Sequence, residues 1–257
     1  MSFIGKLFWY PMATKEQIEA RQQIIRDAEW DIVSERVPRG ALFLDVGCGA
    51  GYNMIKAMQD RDCQVEGIDP DPGAHGVGRY ESKLDDSVSH SISKGMAESL
   101  PYESGRFDVV FCSHVLEHVN SRATSLKEMS RVVKPGGLVV IAVPTHWMAG
   151  LGLIAQWLFT THIRMRALFS SADKRPWGNR LRSVFLPGSH SYPESKTVLY
   201  DLSHYRPKKW NAIIEGVLNV EQVCYGPLYP YPDFPQLLPI STPSWAGSSV
   251  FYFCRPR

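Results

Sequence analysis

An α/β domain with a doubly wound, largely parallel sheet is what this sequence predicts, on three observations. Short β-branched and aromatic runs alternate with helical patterns through residues 40–145, the order that builds parallel strands joined by crossover helices. The first run, Leu42 to Val46, leads directly into Gly47-Cys48-Gly49-Ala50-Gly51. Glycine at alternate positions lets the backbone bend tightly and approach a ligand that a Cβ would obstruct. The second run, Val65 to Asp69, ends in a carboxylate about one βαβ unit downstream, where an acid can bind both hydroxyls of a ribose. A single residue between the last two glycines separates this turn from the dinucleotide fingerprint, which has two.

The elements follow in order. Thr14 with Gln17 forms a capping-box pattern, opening a helix that carries Ile18, Ile24, Ile25, Ala28, Ile32 and Val33 to a break at Pro38-Arg39-Gly40. Strand one covers Ala41 to Val46, and a helix behind the glycine turn points Met54, Ile55, Ala57 and Met58 inward. Strand two stops at Asp69, and Pro70-Asp71-Pro72-Gly73 marks a loop. A helix is expected over 74–87 and a weakly signalled strand near Ser89 to Lys94. Phe107 to Cys112 reads as a strand buried on both faces. Ala123 to Val133 is helical, Pro135-Gly136-Gly137 ends it, and Leu138 to Val143 is strand five. A helix over Pro207 to Val217 and strands over Val220 to Tyr225 and Ser249 to Cys254 close the chain. The proline-rich loop Gly226 to Gly247 is long for a compact domain and reads as a functional rim.

Composition bounds the function. With 257 residues, 44% hydrophobic and 21% charged, the chain suits one domain with an insertion and a substantial core. A net charge of +2 gives no whole-protein grip on nucleic acid, and no such partner is expected. The five cysteines, Cys48, Cys63, Cys112, Cys224 and Cys254, contain no Cys-x-x-Cys pair and read as reduced core residues. The apolar start, Met1 to Pro11, is too short and aromatic for an ordinary signal peptide, so the expected location is the cytoplasm.

Four motifs then fall in one order: the glycine turn with Asp69; Glu98-Ser99-Leu100-Pro101-Tyr102; Phe107 through His114-Val115-Leu116-Glu117-His118-Val119; and Arg131-Val132-Val133-Lys134-Pro135-Gly136-Gly137. Over residues 40–145 the chain resembles the class I S-adenosylmethionine-dependent methyltransferases, especially the ubiquinone and menaquinone biosynthesis branch. The resemblance implies a seven-stranded Rossmann-like sheet whose last, antiparallel strand inserts beside the sixth. It implies S-adenosylmethionine as cofactor, with Asp45, Gly47, Cys48, Gly49 and Gly51 along its methionine and ribose part and Asp69 on the ribose hydroxyls. Ala97 would offer its N–H to the adenine. Relatives often carry an acid just before the Ala-Glu pair, where this chain has Met96, which would pack on the adenine face or in the core. Cys112, Ser113 and His114 would line the pocket beyond strand four, with His114 toward the substrate.

The resemblance also divides the chain into an N-terminal helical cap (1–37), a cofactor-binding core (38–144 and 206–257) and a substrate-recognition insertion (145–205). His204 and Tyr205, just before the post-insertion helix, join His114 as candidates to take a proton from an acceptor. His114, Glu117 and His118 would share a face if helical, where a metal triad is conceivable, but a packing role is expected and no metal: no Asp-Asp or Asp-Asn arrangement clearly marks a catalytic magnesium site. Within the insertion, the apolar run Trp147 to Phe159 is too short to cross a bilayer and abuts Arg164, Arg166, Lys174, Arg175, Arg180 and Arg182. Residues 147–182 therefore read either as a lid over the pocket or as a contact with an anionic membrane surface on the inner face. The expected activity is methyl transfer to an oxygen or carbon of a lipid-, quinone- or glycan-like small molecule. The alternatives are a catalytically silent binding module and a nucleic-acid methyltransferase using Arg164 to Arg182 as a phosphate patch. Oligomeric state is not readable from these features.

Overall fold

The computed structural model describes residues 14–77, 86–161, 164–165, 168–169, 174, 176–192, 195–230 and 245–257. The apolar N-terminal run, most of the helix expected over 74–87 and the centre of the Gly226–Gly247 loop lie outside the described residues.

Helix α1 (Lys15–Ser34) is capped by Thr14, whose side chain accepts from Gln17 N while Gln17 answers with its own side chain. It buries Ile25, Trp30 and Val33 as its periodicity requires, but Ile24 is exposed and Arg21, Gln22 and Glu29 are buried. A helix with a charged inner face is one that faces a polar network, which the apolar spacing alone does not disclose.

Strands β1 (Leu42–Val46), β2 (Gln64–Asp69), β3 (Ile92–Lys94), β4 (Phe107–Ser113), β5 (Val133–Pro144), β6 (Asn219–Tyr225) and β7 (Ser249–Arg255) form one sheet in the order β3-β2-β1-β4-β5-β7-β6. The first five pair in parallel, and β7 runs antiparallel between β5 and β6. Alternate residues of β1 enter opposite cores. Leu44 and Val46 pack with Leu126 and Met129 of α3 (Arg122–Val132) and Trp210 and Ile214 of α7 (Pro207–Glu215). Phe43 packs on the other face with Trp30 of α1 and Ala57 of α2 (Tyr52–Arg61). Burial on both faces is why these strands read as continuous apolar runs. The five cysteines are free, and all but Cys224 are buried.

Two local expectations need correction. Residues 74–77 form bends and a turn rather than the first turn of a helix, since Gly73 and Gly76 adopt φ of +85° and +84°, outside the helical region. The strand near Ser89 shortens to β3, because Ser89–Ser91 is a single 3-10 turn.

The insertion carries α4 (His146–Phe159), α5 (Trp177–Phe185) and α6 (Val198–His204). Its stem is pinned where it leaves and re-enters the core: Thr145 N donates to Ser248 O at 2.9 Å and His146 N to Tyr205 O at 3.0 Å. None of the described helices is long and apolar enough to cross a membrane.

Candidate active site

In an open α/β sheet, ligands settle at the carboxyl ends of the strands where the strand order reverses, here between β1 and β4. The glycine turn sits there. Gly47, Gly49 and Gly51 take φ of +77°, +55° and +87°, values that disfavour side chains. The close approach at Gly49 is to the chain's own backbone: a Cβ there would stand 2.5 Å from the His75 carbonyl oxygen. Ala50 N donates to that same oxygen at 3.1 Å, so the loop behind β2 and the glycine turn clasp one another.

Asp69 organises the clasp. Its Oδ2 accepts from Gly49 N at 2.9 Å and its Oδ1 from Asp71 N at 2.8 Å. Each oxygen retains a further lone pair, so an additional donor can be accommodated.

Asp45, at the end of β1, is 1% exposed and, among the described residues, its Oδ2 has no hydrogen-bond partner. Burial, and then the Asp69 carboxylate nearby, push its pKa up to about 8. An anion pair that holds a proton for want of a cation is matched chemically to an ammonium or sulfonium group. This orphaned, buried oxygen beside a ribose-competent carboxylate and a glycine bend fits the positively charged, ribose-bearing S-adenosylmethionine.

The flank of the crevice is formed by Met96 and Ala97. Met96 is 45% exposed, so it is not a core residue, whereas Ala97 is buried. Their loop is fastened by α3: Arg131 donates from Nη1 to Tyr102 O at 2.7 Å and from Nη2 to Leu100 O at 3.0 Å, and Glu128 accepts from Leu100 N at 2.9 Å.

Beyond β4, Cys112 is buried, Ser113 half-buried and His114 at φ +55°. This left-handed backbone turns the imidazole between two carboxylates: Nε2 lies 3.5 Å from Glu29 Oε1 and Nδ1 3.6 Å from Glu117 Oε1. Burial and Arg26 push the His114 pKa down, but Glu29 and Glu117 outweigh them and hold it above its ordinary value. Glu29 itself is enclosed by Tyr229 OH at 3.0 Å, Ser249 Oγ at 2.5 Å and Arg26. Burial opposes its charge, but Arg26 and His114 prevail and hold the carboxyl well below the usual range.

The structure thus brings Asp45, the glycine turn, Asp69, Cys112, Ser113 and His114 to one strand edge. It does not bring the other two proton-transfer candidates there in the same way. Tyr205 is fully buried, stacked on Trp210 and bonded through its hydroxyl to Ser191. Burial, first, drives its pKa upward, which makes it a structural residue rather than a base. His204 stacks on Tyr200 at 3.8 Å, and its Nδ1 is occupied by Ser203 Oγ and Tyr200 O at 2.7 and 3.0 Å. Residues 114–119 form turns rather than a helix, and His118 is 44% exposed, correcting the expectation of an interior packing role. His190, from the insertion, packs its ring on His118 and has its pKa lowered to about 4, chiefly by burial. Glu29 and Arg26 carry no motif that could have marked them. Their sole trace in the sequence is charge on the inner face of an amphipathic helix.

Residues 44–141 match the model of a methyltransferase domain. Among curated proteins, the chain is 39% identical over 106 residues to a ubiquinone biosynthesis O-methyltransferase of Pseudomonas paraeruginosa, covering 40% of this chain and 44% of that protein. It is 32% identical over 123 residues to an ajmaline N-methyltransferase of Rauvolfia serpentina, covering 46% and 40%. The chain thus spans less than half the length of these relatives. In three dimensions it is similar to a Thermotoga maritima S-adenosylmethionine-dependent methyltransferase, described as a possible histamine N-methyltransferase, with TM-score 0.56 and 15% identity over 94% of each chain. An S-adenosylmethionine-dependent methyltransferase of Mesorhizobium loti gives TM-score 0.51 and 17% identity over 89% of this chain and 97% of the other. Residues 44–141 thus carry a methyltransferase domain, set in a fold similar to those two solved structures.

Proposed function

We propose that the protein transfers the methyl group of S-adenosylmethionine to an oxygen or carbon of a small lipid-, quinone- or glycan-like acceptor by in-line displacement. The observation that carries this reading is the buried, unpartnered Oδ2 of Asp45 beside Asp69. The cofactor supplies a methyl carbon already activated by its sulfonium, so the chain's work is to bind, orient and exclude water. Asp45 receives the α-amino group. Gly47, Cys48, Gly49 and Gly51 run along the methionine and ribose part, and Asp69 accepts from the ribose hydroxyls. Met96 covers one adenine face while the Ala97 N–H meets the ring edge, and Cys112 and Ser113 line the floor. His114 takes the acceptor's proton once its imidazole is neutral. Tyr205 holds the insertion's stem, with His204 beside it.

The relatives named for ubiquinone and alkaloid methylation support a small-molecule acceptor, and residues 145–205 are the segment we assign to selecting it. Isothermal titration with S-adenosylhomocysteine tests the cofactor site: one equivalent should bind, and Asp69→Ala should weaken it about 100-fold, or ~2.7 kcal/mol. No binding by the intact chain would refute the reading.

A contact with anionic membranes through 147–182 is supported by exposed apolar side chains on the insertion: Ile154, Trp157 and Leu158 on α4, and Trp177, Leu181 and Phe185 on α5. Apolar surface on this scale, beside arginines, suits an interface. Flotation with anionic vesicles at low salt should carry the protein upward. Recovery wholly in the soluble fraction would contradict the contact.

A further inference from the structure

Glu117, in the turn after β4, touches the His114 imidazole, but the methyl-transfer reading gives it no ligand of its own. It is 0% exposed, yet among the described residues neither of its oxygens has a donor within 3.5 Å. A buried anion without hydrogen bonds costs several kcal/mol, so a fold that keeps one has something else to offer it. What surrounds Glu117 is imidazole. His114 Nδ1 stands 3.6 Å and His118 Nε2 3.9 Å from Oε1, both beyond hydrogen-bond length. His190 reaches in from the insertion and packs its ring on His118, with centroids 5.1 Å apart. One ligand atom each from Glu117, His118 and His190 lies within 4.8 Å of the others. Metal bonds of ~2.0–2.2 Å to nitrogen and oxygen put neighbouring ligand atoms roughly 3.4 Å apart in a tetrahedron, so a contraction of about an ångström closes the set.

The positions are held in advance. His190 N donates to Asp201 Oδ2 at 2.7 Å, and Ser189 Oγ to Asp201 Oδ1 at 2.5 Å. A buried carboxylate at 3% exposure on α6 therefore fixes the loop that delivers the third imidazole. On the other side, His114 is braced by Glu29. Support of this kind behind the ligands is what metal sites need to keep their geometry. The sequence pairs Glu117 and His118 only with His114, whereas the third donor here lies some 70 residues later.

We propose that Glu117, His118 and His190 bind one divalent cation of the zinc class, leaving a fourth coordination position open to an oxygen of the methyl acceptor. Two imidazoles and one carboxylate form the donor set of open, catalytic rather than closed, structural sites. Binding of the ion stands by itself; its use in holding the acceptor rests on the methyl-transfer reading.

The test is a titration of the untagged, chelator-treated full chain with Co²⁺, followed by visible d–d absorption, with S-adenosylhomocysteine binding measured on the same samples. One equivalent of Co²⁺ should give an intense low-coordinate spectrum and be displaced by Zn²⁺. Glu117→Gln and His190→Ala should each weaken the ion roughly 100-fold while S-adenosylhomocysteine still binds. Should either variant fail to fold, the half-exposed His118→Ala serves in its place. A chain without a stoichiometric Co²⁺ spectrum, or a spectrum unchanged in these variants, overturns the site. Co²⁺ bound normally by a chain that takes no S-adenosylhomocysteine leaves the metal site standing and removes the methyl-transfer reading instead.

Discussion

Glu29 on α1 and Asp45 at the end of β1 are both buried carboxylates, and the fold treats them in opposite ways. Glu29 is surrounded by Arg26, Tyr229, Ser249 and His114, and stays ionised. Asp45 beside Asp69 receives no such company: among the described residues its Oδ2 lacks a partner, and burial followed by the Asp69 charge raises its pKa to about 8. The first arrangement is complete without a ligand and serves to hold His114. The second is completed by a cation from outside. The difference teaches that an unsatisfied buried anion marks the place where the protein awaits a charged partner, whereas a satisfied one marks architecture.

The largest effect expected from breaking this contrast is Glu29→Gln. It strips Arg26 of its counter-charge inside the protein, and loss of one member of a buried ion pair costs about 3–5 kcal/mol. Chemical denaturation at neutral pH reads it directly. Because the Glu29 pKa is lowered in the fold, its contribution is present above the ordinary carboxylate range and is lost as pH falls through it. The same substitution removes a carboxylate that raises the His114 pKa, so the acid limb of the pH–rate profile should move to lower pH.

Next comes Asp69→Ala, whose weakening of S-adenosylhomocysteine should exceed that of Asp45→Asn, because Asp69 also fastens Gly49 N and Asp71 N. Titration of both variants ranks them. Asp45→Asn should have the opposite sign on stability. A folded pKa of about 8 against an ordinary value of 3.8 means the folded state holds the proton more tightly, so stability falls as pH rises from about 4 to about 8. Removing the charge should stabilise the ligand-free protein progressively more as pH rises from about 4 to about 8, measured by thermal melting. The smallest effect is expected at the exposed Arg39–Asp62 pair, with side chains 65% and 69% exposed: Arg39→Ala should change stability by less than ~1 kcal/mol.

Much of the candidate site is legible in the residues alone. The glycine turn, Asp69 and the strand ends need only backbone geometry and period, both local properties, and they stand where the patterns predict. Met96 shows what local reading leaves open, since only the folded chain reveals that it is exposed. Glu29, Tyr229 and Ser249 converge from positions 200 and 220 residues apart in sequence, and nothing short-range records that meeting. His190 is likewise delivered to Glu117 by the insertion's own hydrogen bonds to Asp201. Tyr205 misleads for the same reason: its neighbours in sequence suggest a substrate-facing loop, while its neighbours in space are Trp210 and Ser191.

The most direct test of the central claim is calorimetric titration of the intact chain with S-adenosylhomocysteine near pH 7, repeated in buffers of different ionisation enthalpy. An ammonium arriving beside Asp45 lowers its pKa, so binding should expel most of one proton and the heat should vary with the buffer, a dependence lost in Asp45→Asn. Absence of binding, or binding whose heat ignores the buffer and survives Asp45→Asn unchanged, would contradict the account.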